Sequence, residues 1–454
     1  MKYVSTRGQA PALDFADVLL AGPAVDGGLY VPESWPSLPA DWATPRPYPA
    51  LAADVVWPYV EGAFGRADFD AMVDSAYATF AHPDVVPLVE VEPGLFLMEL
   101  FHGPTLAFKD VALQLVGRMF DAELSRRGER ATIVVATSGD TGSAAIAACA
   151  GRSTLDIVVL HPAGRVSEVQ RRQMTTVDAP NVVNIAVEGT FDDCQDLVKA
   201  LFADAGLRER LRLSAMNSIN WARIAAQIPY YVAAVAALGP CRVAVPSGNF
   251  GNILAGWIAR RGGAPIEQLI VGSNRNDILA RWVTTGALVA ETVEPTLSPS
   301  MDIQVSSNHE RLLFELSGRD GAATAEWMTR FRQLGSVEVP VDPVFAAASI
   351  DDAATIAEMR DLHRRTGYLA DPHTAVGVAA ARAAGAYPGD LPVVCMATAH
   401  PAKFPDPVEA ATATRPRLPD HLADILTLPE RYDVLPADLE ALKSFLAARL
   451  TPRE

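Results

Sequence analysis

The sequence predicts an α/β protein, a body of two lobes with parallel sheets covered by helices, preceded by an extra N-terminal domain. Three observations carry this expectation. Short runs rich in β-branched residues, TIVVAT (132–137), LDIVVLH (155–161), VVNIAV (182–187), RVAVPS (242–247), QLIVGS (268–273) and LPVVCMAT (391–398), alternate with helical segments. A chain of 454 residues exceeds one ordinary core. Half of it is hydrophobic and a fifth charged, the composition of a soluble globular protein.

In chain order, residues 1–95 are rich in Pro, Gly and aromatic residues. DGGLYVPESWPSLP (26–39) marks turns there, and helical pattern is confined mainly to Phe69 to Phe80. Residues 96–405 hold the alternating body. Residues 406–454 form a tail in which Leu439, Leu442, Leu446 and Leu450 make an amphipathic helix expected to pack on the body.

Composition excludes several classes. A formal charge of -16 argues against nucleic acid or an anionic membrane surface as partner, and leaves an anionic small substrate only if the site supplies local positive potential. Cys149, Cys194, Cys241 and Cys395 are far apart and form no CxxC pair, so neither a disulfide framework nor a thiolate metal site is expected. Acidic residues break the apolar pattern of the first 22 residues, so no signal peptide is expected. No apolar stretch reaches membrane-span length, and the expectation is a cytoplasmic protein.

Lys109 lies within HGPTLAFKDVALQ (102–114), an otherwise apolar stretch. Leu113, Val116 and Phe120 follow it at the spacing of one helical face, so the lysine points toward the core. Gly103, Pro104 and Thr105 predict a helix start within a few residues of it. Burial and the positive end of a helix both favour a neutral amine, and such a lysine is a nucleophile.

Three strand ends offer polar groups. The loop Thr137 to Gly142, in TIVVATSGDTGSAAIAACA, leads from a strand into an Ala-rich helix and suits a phosphate or carboxylate. Any tight strand-to-helix turn uses glycine in the same way. The loop Ser247, Gly248, Asn249, Phe250, Gly251 and Asn252 is a second such turn. It matches neither the GxxxxGK[ST] nor the GxGxxG pattern, so nucleoside triphosphates and nicotinamide cofactors lose ground while a phosphate monoester still fits. The third, LPVVCMATAHPAKF (391–404), ends at Thr398, His400 and Lys403, beyond a buried-type strand. A solvated loop with a hydrogen-bonded His400 is the bland alternative. No HExxH pair supports a metal and no GxSxG elbow a serine hydrolase. An amine in an apolar setting, a phosphate cup and a strand-end hydroxyl together suit pyridoxal phosphate, and leave the reaction open.

Eight segments then carry a resemblance. YVSTRG (3–8), DGGLYVPE (26–33), ELFHGPTLAFKD (99–110), ATSGDTGSAA (136–145), PSGNFGN (246–252), SNHERLLFE (307–315), DPHTAVG (371–377) and ATAHPAKF (397–404) resemble, in order and across essentially the whole chain, the threonine synthase family. The likeness is to its longer subgroup with an extended N-terminal domain, within the tryptophan synthase β-like (fold type II) pyridoxal phosphate enzymes. The resemblance implies that Lys109 bonds the cofactor aldehyde, that Gly248, Asn249, Phe250, Gly251 and Asn252 hold its phosphate, and that the Thr398 hydroxyl meets its ring nitrogen. It implies a substrate-side loop of Ser138, Gly139, Asp140 and Thr141, with Asp140 where related enzymes often have Asn. His309 stands where an aromatic such as Phe is expected.

The implied reaction converts O-phospho-L-homoserine and water to L-threonine and phosphate. Arg275 and Lys403 are the candidate cations for the substrate, and Asn308 and Thr141 the neutral donors. Surface solvation is the plain alternative for the two cations. Another pyridoxal phosphate lyase, such as a threonine or serine dehydratase, shares the lysine and the cup, as does a non-catalytic binder of the cofactor. YVSTRG and DGGLYVPE favour the synthase. A monomer or homodimer is expected.

Overall fold

The computed structural model describes residues 1–450. It divides into two compact units. The first comprises Met1–Ala112 and Ser218–Arg417; the second comprises Leu113–Asn217 and the described chain from Leu418 onward. The division runs differently from the expected segments 1–95, 96–405 and 406–454, because the second unit is an insertion completed by the tail.

The first unit holds a six-stranded sheet in the order Phe345–Ser349, Ile266–Ser273, Cys241–Pro246, Val393–Ala397, Leu95–Glu99, Leu88–Glu92. All neighbours are parallel except the last pair. Its inner strands are apolar on both faces, as helix-covered parallel strands require, and Leu97, Ala244, Ile270 and Cys395 are fully buried. The helix Pro372–Ala383 lies on this sheet, with Gly377 allowing close approach to Pro246. Its N-terminus is capped by Asp371, which accepts from the His373 and Thr374 N–H groups at 3.0 Å each.

The N-terminal segment of the same unit is a three-stranded antiparallel sheet, Leu13–Asp14, Lys2–Ser5 and Tyr30–Pro32, with the helices Phe15–Ala21, Tyr48–Val60 and Arg66–Tyr77. The last lies in the region of the expected helical pattern. Tyr48–Val60 escaped the sequence reading because Pro49 and Pro58 punctuate it, although Pro49 sits in the first turn where the missing N–H costs nothing.

The second unit carries a five-stranded parallel sheet in the order Asp433–Pro436, Val182–Glu188, Leu155–Pro162, Ala131–Ala136, Leu213–Ser214. The expected tail helix is Leu439–Arg449, and Leu442 and Leu446 bury into this unit's core with Leu197 and Leu201. The tail also supplies an edge strand, which the sequence reading missed. The four cysteines are free and buried. Among the described residues no helix is long and apolar enough to cross a membrane.

Candidate active site

Lys109 is the first residue of the helix Lys109–Arg127, as the Gly103, Pro104 and Thr105 punctuation predicts. The apolar face that follows it is in place, with Leu113, Val116 and Phe120 wholly buried. The lysine itself is half-buried, and its Nζ lies 5.2 Å from the centroid of the Phe108 ring. The loop before it is tightly fixed. The Asp110 carboxylate accepts from the Thr105 N–H at 2.8 Å and the Thr105 hydroxyl at 2.7 Å, and Leu106 takes a left-handed backbone conformation with φ 60°. Burial pushes the Asp110 carboxyl up to about 6 from 3.8, against the lowering effect of these bonds and of Lys403. A side chain at Gly103 would place its Cβ 2.4 Å from that of Asp110, which is why glycine stands there.

This loop is laced to the end of the strand Val393–Ala397. The Phe108 N–H donates to the Thr398 carbonyl at 2.8 Å, and the His400 N–H to the Leu106 carbonyl at 3.0 Å. Thr398, buried, thus stands beside the residue preceding Lys109. His400 accepts from the Ala402 N–H at 3.1 Å, and burial pulls its imidazole down to about 4, so it behaves as a neutral cap.

The adjacent strand, Cys241–Pro246, ends in the predicted cup. Phe250 is left-handed (φ 62°), and no side chain caps the following helix, Gly251–Arg261, whose first N–H groups are available to an anion. The Asn252 carbonyl oxygen Oδ1 accepts from the Tyr230 and Tyr231 hydroxyls at 2.6 and 2.7 Å, which fixes the amide. Asn252 Nδ2 and Ser247 Oγ, both buried, find no hydrogen-bond partner among the described residues. Two orphaned donors at an uncapped helix start are the chemistry a phosphate monoester needs, so the residues fit pyridoxal phosphate.

Three of the expected substrate donors make hydrogen bonds or an ion pair within the fold. Asn308 is fully buried, and its Nδ2 donates to the carbonyls of Ser218 and Asn249 at 3.0 Å each, which uses both amide hydrogens. Lys403 is fully buried and donates to the Thr105 carbonyl at 2.6 Å, under the lysine loop. Arg275 is 57% exposed and paired with Glu294 at 3.1 Å. Asn308 and Lys403 thus spend hydrogen bonds on neighbouring loops and Arg275 faces outward, directions that residue type alone does not give. His309, standing where an aromatic such as Phe is expected, packs among aromatic rings: its ring centroid lies 4.1 Å from that of Trp282 and 5.1 Å from that of Phe250. Its Nε2 has no partner among the described residues, and burial pulls the imidazole down to about 3.

In the second unit, the loop Ser138, Gly139, Asp140 and Thr141 follows the strand Ala131–Ala136 and opens the helix Asp140–Cys149. Thr137 Oγ1 accepts from the Gly139 and Gly142 N–H groups at 2.9 Å each. Gly139 has φ 140°, and a Cβ there would strike Gln170 at 2.6 Å. Asp140 accepts from Gln170 Nε2 at 2.8 Å, a partner that no sequence signal indicated. Ser138 and Thr141 are half-buried. Among the described residues no cluster of His, Cys, Asp and Glu suits a metal ion.

Parallel sheets with an anion cup and a lysine loop at neighbouring strand ends define the class as that of the α/β, fold type II pyridoxal-phosphate-dependent enzymes, and residues 83–399 match the family model described as pyridoxal-phosphate dependent enzyme. Residues 2–77 match the model for the threonine synthase N terminus, and residues 374–446 the threonine synthase C-terminal model. The chain is 51% identical to threonine synthase from Pseudomonas aeruginosa over 98% of each protein, and 41% identical to that from Corynebacterium glutamicum, again over 98% of each. The crystal structure of pyridoxal-phosphate-bound threonine synthase from Brucella melitensis superimposes with a TM-score of 0.95 at 49% identity, covering 99% of both chains. The yeast enzyme superimposes with a TM-score of 0.93 at 36% identity, covering 99% of this chain and 98% of that one. The chain belongs to the threonine synthase family, whose members are pyridoxal-phosphate-dependent lyases.

Proposed function

We propose that the chain converts O-phospho-L-homoserine and water to L-threonine and phosphate, with Lys109 as the catalytic amine. The observation that carries the assignment of residues is the bond from the Phe108 N–H to the Thr398 carbonyl at 2.8 Å. It ties the lysine loop to the strand end that bears the hydroxyl, and the cup stands at the end of the next strand.

Pyridoxal phosphate, when bound, supplies the electron sink that makes the substrate's Cα and Cβ protons removable. Lys109 would hold its aldehyde in the resting protein. The N–H groups of the Gly248 to Asn252 loop, with Ser247 Oγ and Asn252 Nδ2, would hold its phosphate. The Thr398 hydroxyl would face its ring nitrogen; a hydroxyl, unlike a carboxylate, would not force a proton onto that ring. With its amine free, Lys109 would take the proton from Cα and then from Cβ; as phosphate leaves Cγ it would return one proton to Cγ, which becomes the methyl group, and a second to Cα after water has added its OH at Cβ and left its remaining proton to the phosphate. The loop Ser138, Gly139, Asp140 and Thr141 is assigned to the substrate on its motif and on its anion-suited turn, with the half-buried Thr141 as a donor. Asn308 and Lys403 are assigned to bracing, since their donors are engaged within the fold.

The test is a paired assay with O-phospho-L-homoserine, measuring phosphate release and L-threonine in the same tube. Equal amounts of the two products are expected. Ammonia and an oxo acid in their place would identify a dehydratase, and imine absorbance without turnover would leave only a cofactor binder.

A further inference from the structure

Two carbonyls of the cup loop are turned by a segment far away in sequence. The Gly248 carbonyl accepts from the Ser306 hydroxyl at 2.7 Å. The Asn249 carbonyl accepts from the Asn308 backbone N–H at 3.2 Å and from Asn308 Nδ2 at 3.0 Å. In a trans peptide the C=O of one residue and the N–H of the next point in opposite directions. The N–H groups of Asn249 and Phe250 are therefore aimed away from the Ser306 to Asn308 segment. Successive N–H groups of this kind, with Phe250 left-handed, make a concavity for an anion, and an inward carbonyl would repel the same anion.

Asn308 is itself held in one orientation. Its Oδ1 accepts from an Arg311 NH1 group, and Arg311 is a fully buried guanidinium that also donates from Nε to the Tyr30 carbonyl at 2.9 Å and from NH2 to the Ile219 carbonyl at 2.6 Å. With Oδ1 facing the guanidinium, Nδ2 must face the Asn249 carbonyl. The preceding residue anchors the helix His309–Leu316 from the N-terminal segment. Glu310 accepts from the Thr6 hydroxyl at 2.7 Å and from Arg7 Nε and NH2 at 3.0 Å each. The segments YVSTRG, DGGLYVPE and SNHERLLFE thus meet in one polar brace whose last member touches the cup.

We propose that Ser306, Asn308 and Arg311 are positioning residues that keep the Gly248 and Asn249 carbonyls out of the anion cup and so give it its preference for a phosphate group. The proposal rests on the reading that this cup holds the cofactor's phosphate. Its measure is the ratio of two affinities: pyridoxal phosphate against pyridoxal, which has the aldehyde and ring but no phosphate.

The experiment titrates the full-length protein, stripped of cofactor, with each compound and follows the imine absorbance. Wild type should favour pyridoxal phosphate strongly. Ser306→Ala and Asn308→Ala should each reduce the ratio by about 10-fold, since each removes one side-chain hydrogen bond to a cup carbonyl, while pyridoxal affinity stays near that of wild type. Ser306→Thr, which keeps the hydroxyl, should restore the ratio. Arg311→Lys should lower it as well, since one ammonium nitrogen does not span the three acceptors that separate guanidinium nitrogens reach. A ratio unchanged in Ser306→Ala and Asn308→Ala, or a proportional loss of both affinities, would overturn the proposal. A wild-type protein that binds the two compounds equally would remove instead the reading of the cup on which the proposal rests.

Discussion

The Phe108 N–H donates to the Thr398 carbonyl at 2.8 Å, so the residue before Lys109 is hydrogen-bonded to the residue that follows the strand Val393–Ala397. The isolated bridge between Ala107 and Ala399 extends the contact, and Lys403 Nζ supports the loop from below through the Thr105 carbonyl. The lysine therefore starts its helix from a loop fixed on several sides. A nucleophile on such a loop loses little orientation freedom when it exchanges partners, which is what a reaction with repeated proton transfers by one amine requires.

Lys109→Ala is expected to lose at least about 1000-fold in threonine formation, because no second group is in line to do both the bonding and the proton transfers. The protein should stay folded, since the side chain is only half-buried and the helix behind it is packed by Leu113, Val116 and Phe120. A threonine assay alongside circular dichroism checks both halves, and persistent turnover would sink the assignment of the lysine.

Asp110 provides a pH test of the same loop. Its carboxyl is pushed up to about 6 from 3.8, chiefly by burial, so between those values the folded state binds a proton that the unfolded chain has released. The folded state therefore loses stability from this group as pH rises from about 4 to 6, by up to about 3 kcal/mol. Asp110→Asn removes the titration and keeps the shape. The melting temperature of the variant relative to wild type should rise across that window, and parallel curves would show that Asp110 is not buried as described.

Much of the fold was legible because parallel strands announce themselves by composition, and the six β-branched runs are all strands, three in each sheet. Phe345–Ser349 was not, since FAAAS lacks β-branched residues and owes its strand to pairing with Ile266–Ser273. Helix-start punctuation put the helix start within a few residues of Lys109, where the structure has it, and the glycine-containing segment 247–252 does join a strand to a helix. The direction of long polar side chains was not legible. Arg275 and Lys403 carry the same charge, yet one is exposed beside Glu294 and the other wholly buried, a difference set by tertiary neighbours. Asn308 reaches a carbonyl 59 residues away, so nothing local could betray that bond.

His309 replaces an expected aromatic residue and carries a specific cost. Burial among Trp282 and Phe250 pulls its imidazole down to about 3 from 6.5, so the folded state holds it neutral where the unfolded chain would protonate it. Stability associated with this group is complete above pH 6.5 and is lost as pH falls, at about 1.4 kcal/mol per pH unit. His309→Phe should therefore melt higher than wild type, with a difference that widens from pH 7 down to pH 4. It also removes the buried Nε2, which has no partner among the described residues. A constant difference across that range would mean that water reaches the ring.

Arg275 tests whether charge type alone is a guide to substrate binding in an acidic protein. Sequence reasoning made it a candidate for the substrate's phosphate, because a dianion needs cations and few are in the right segments. In the structure its guanidinium is 57% exposed and spent on Glu294 at 3.1 Å, and the neighbouring Glu294 carboxylate holds its pKa above the usual arginine value. An exposed pair of this kind contributes little, and a side chain held by a carboxylate must first be released before it can serve a ligand. Arg275→Ala is accordingly expected to leave KM for O-phospho-L-homoserine within about twofold of wild type, and kcat unchanged. A rise of KM by about 10-fold or more at constant kcat would restore Arg275 as a substrate ligand and would require it to leave Glu294 when substrate binds.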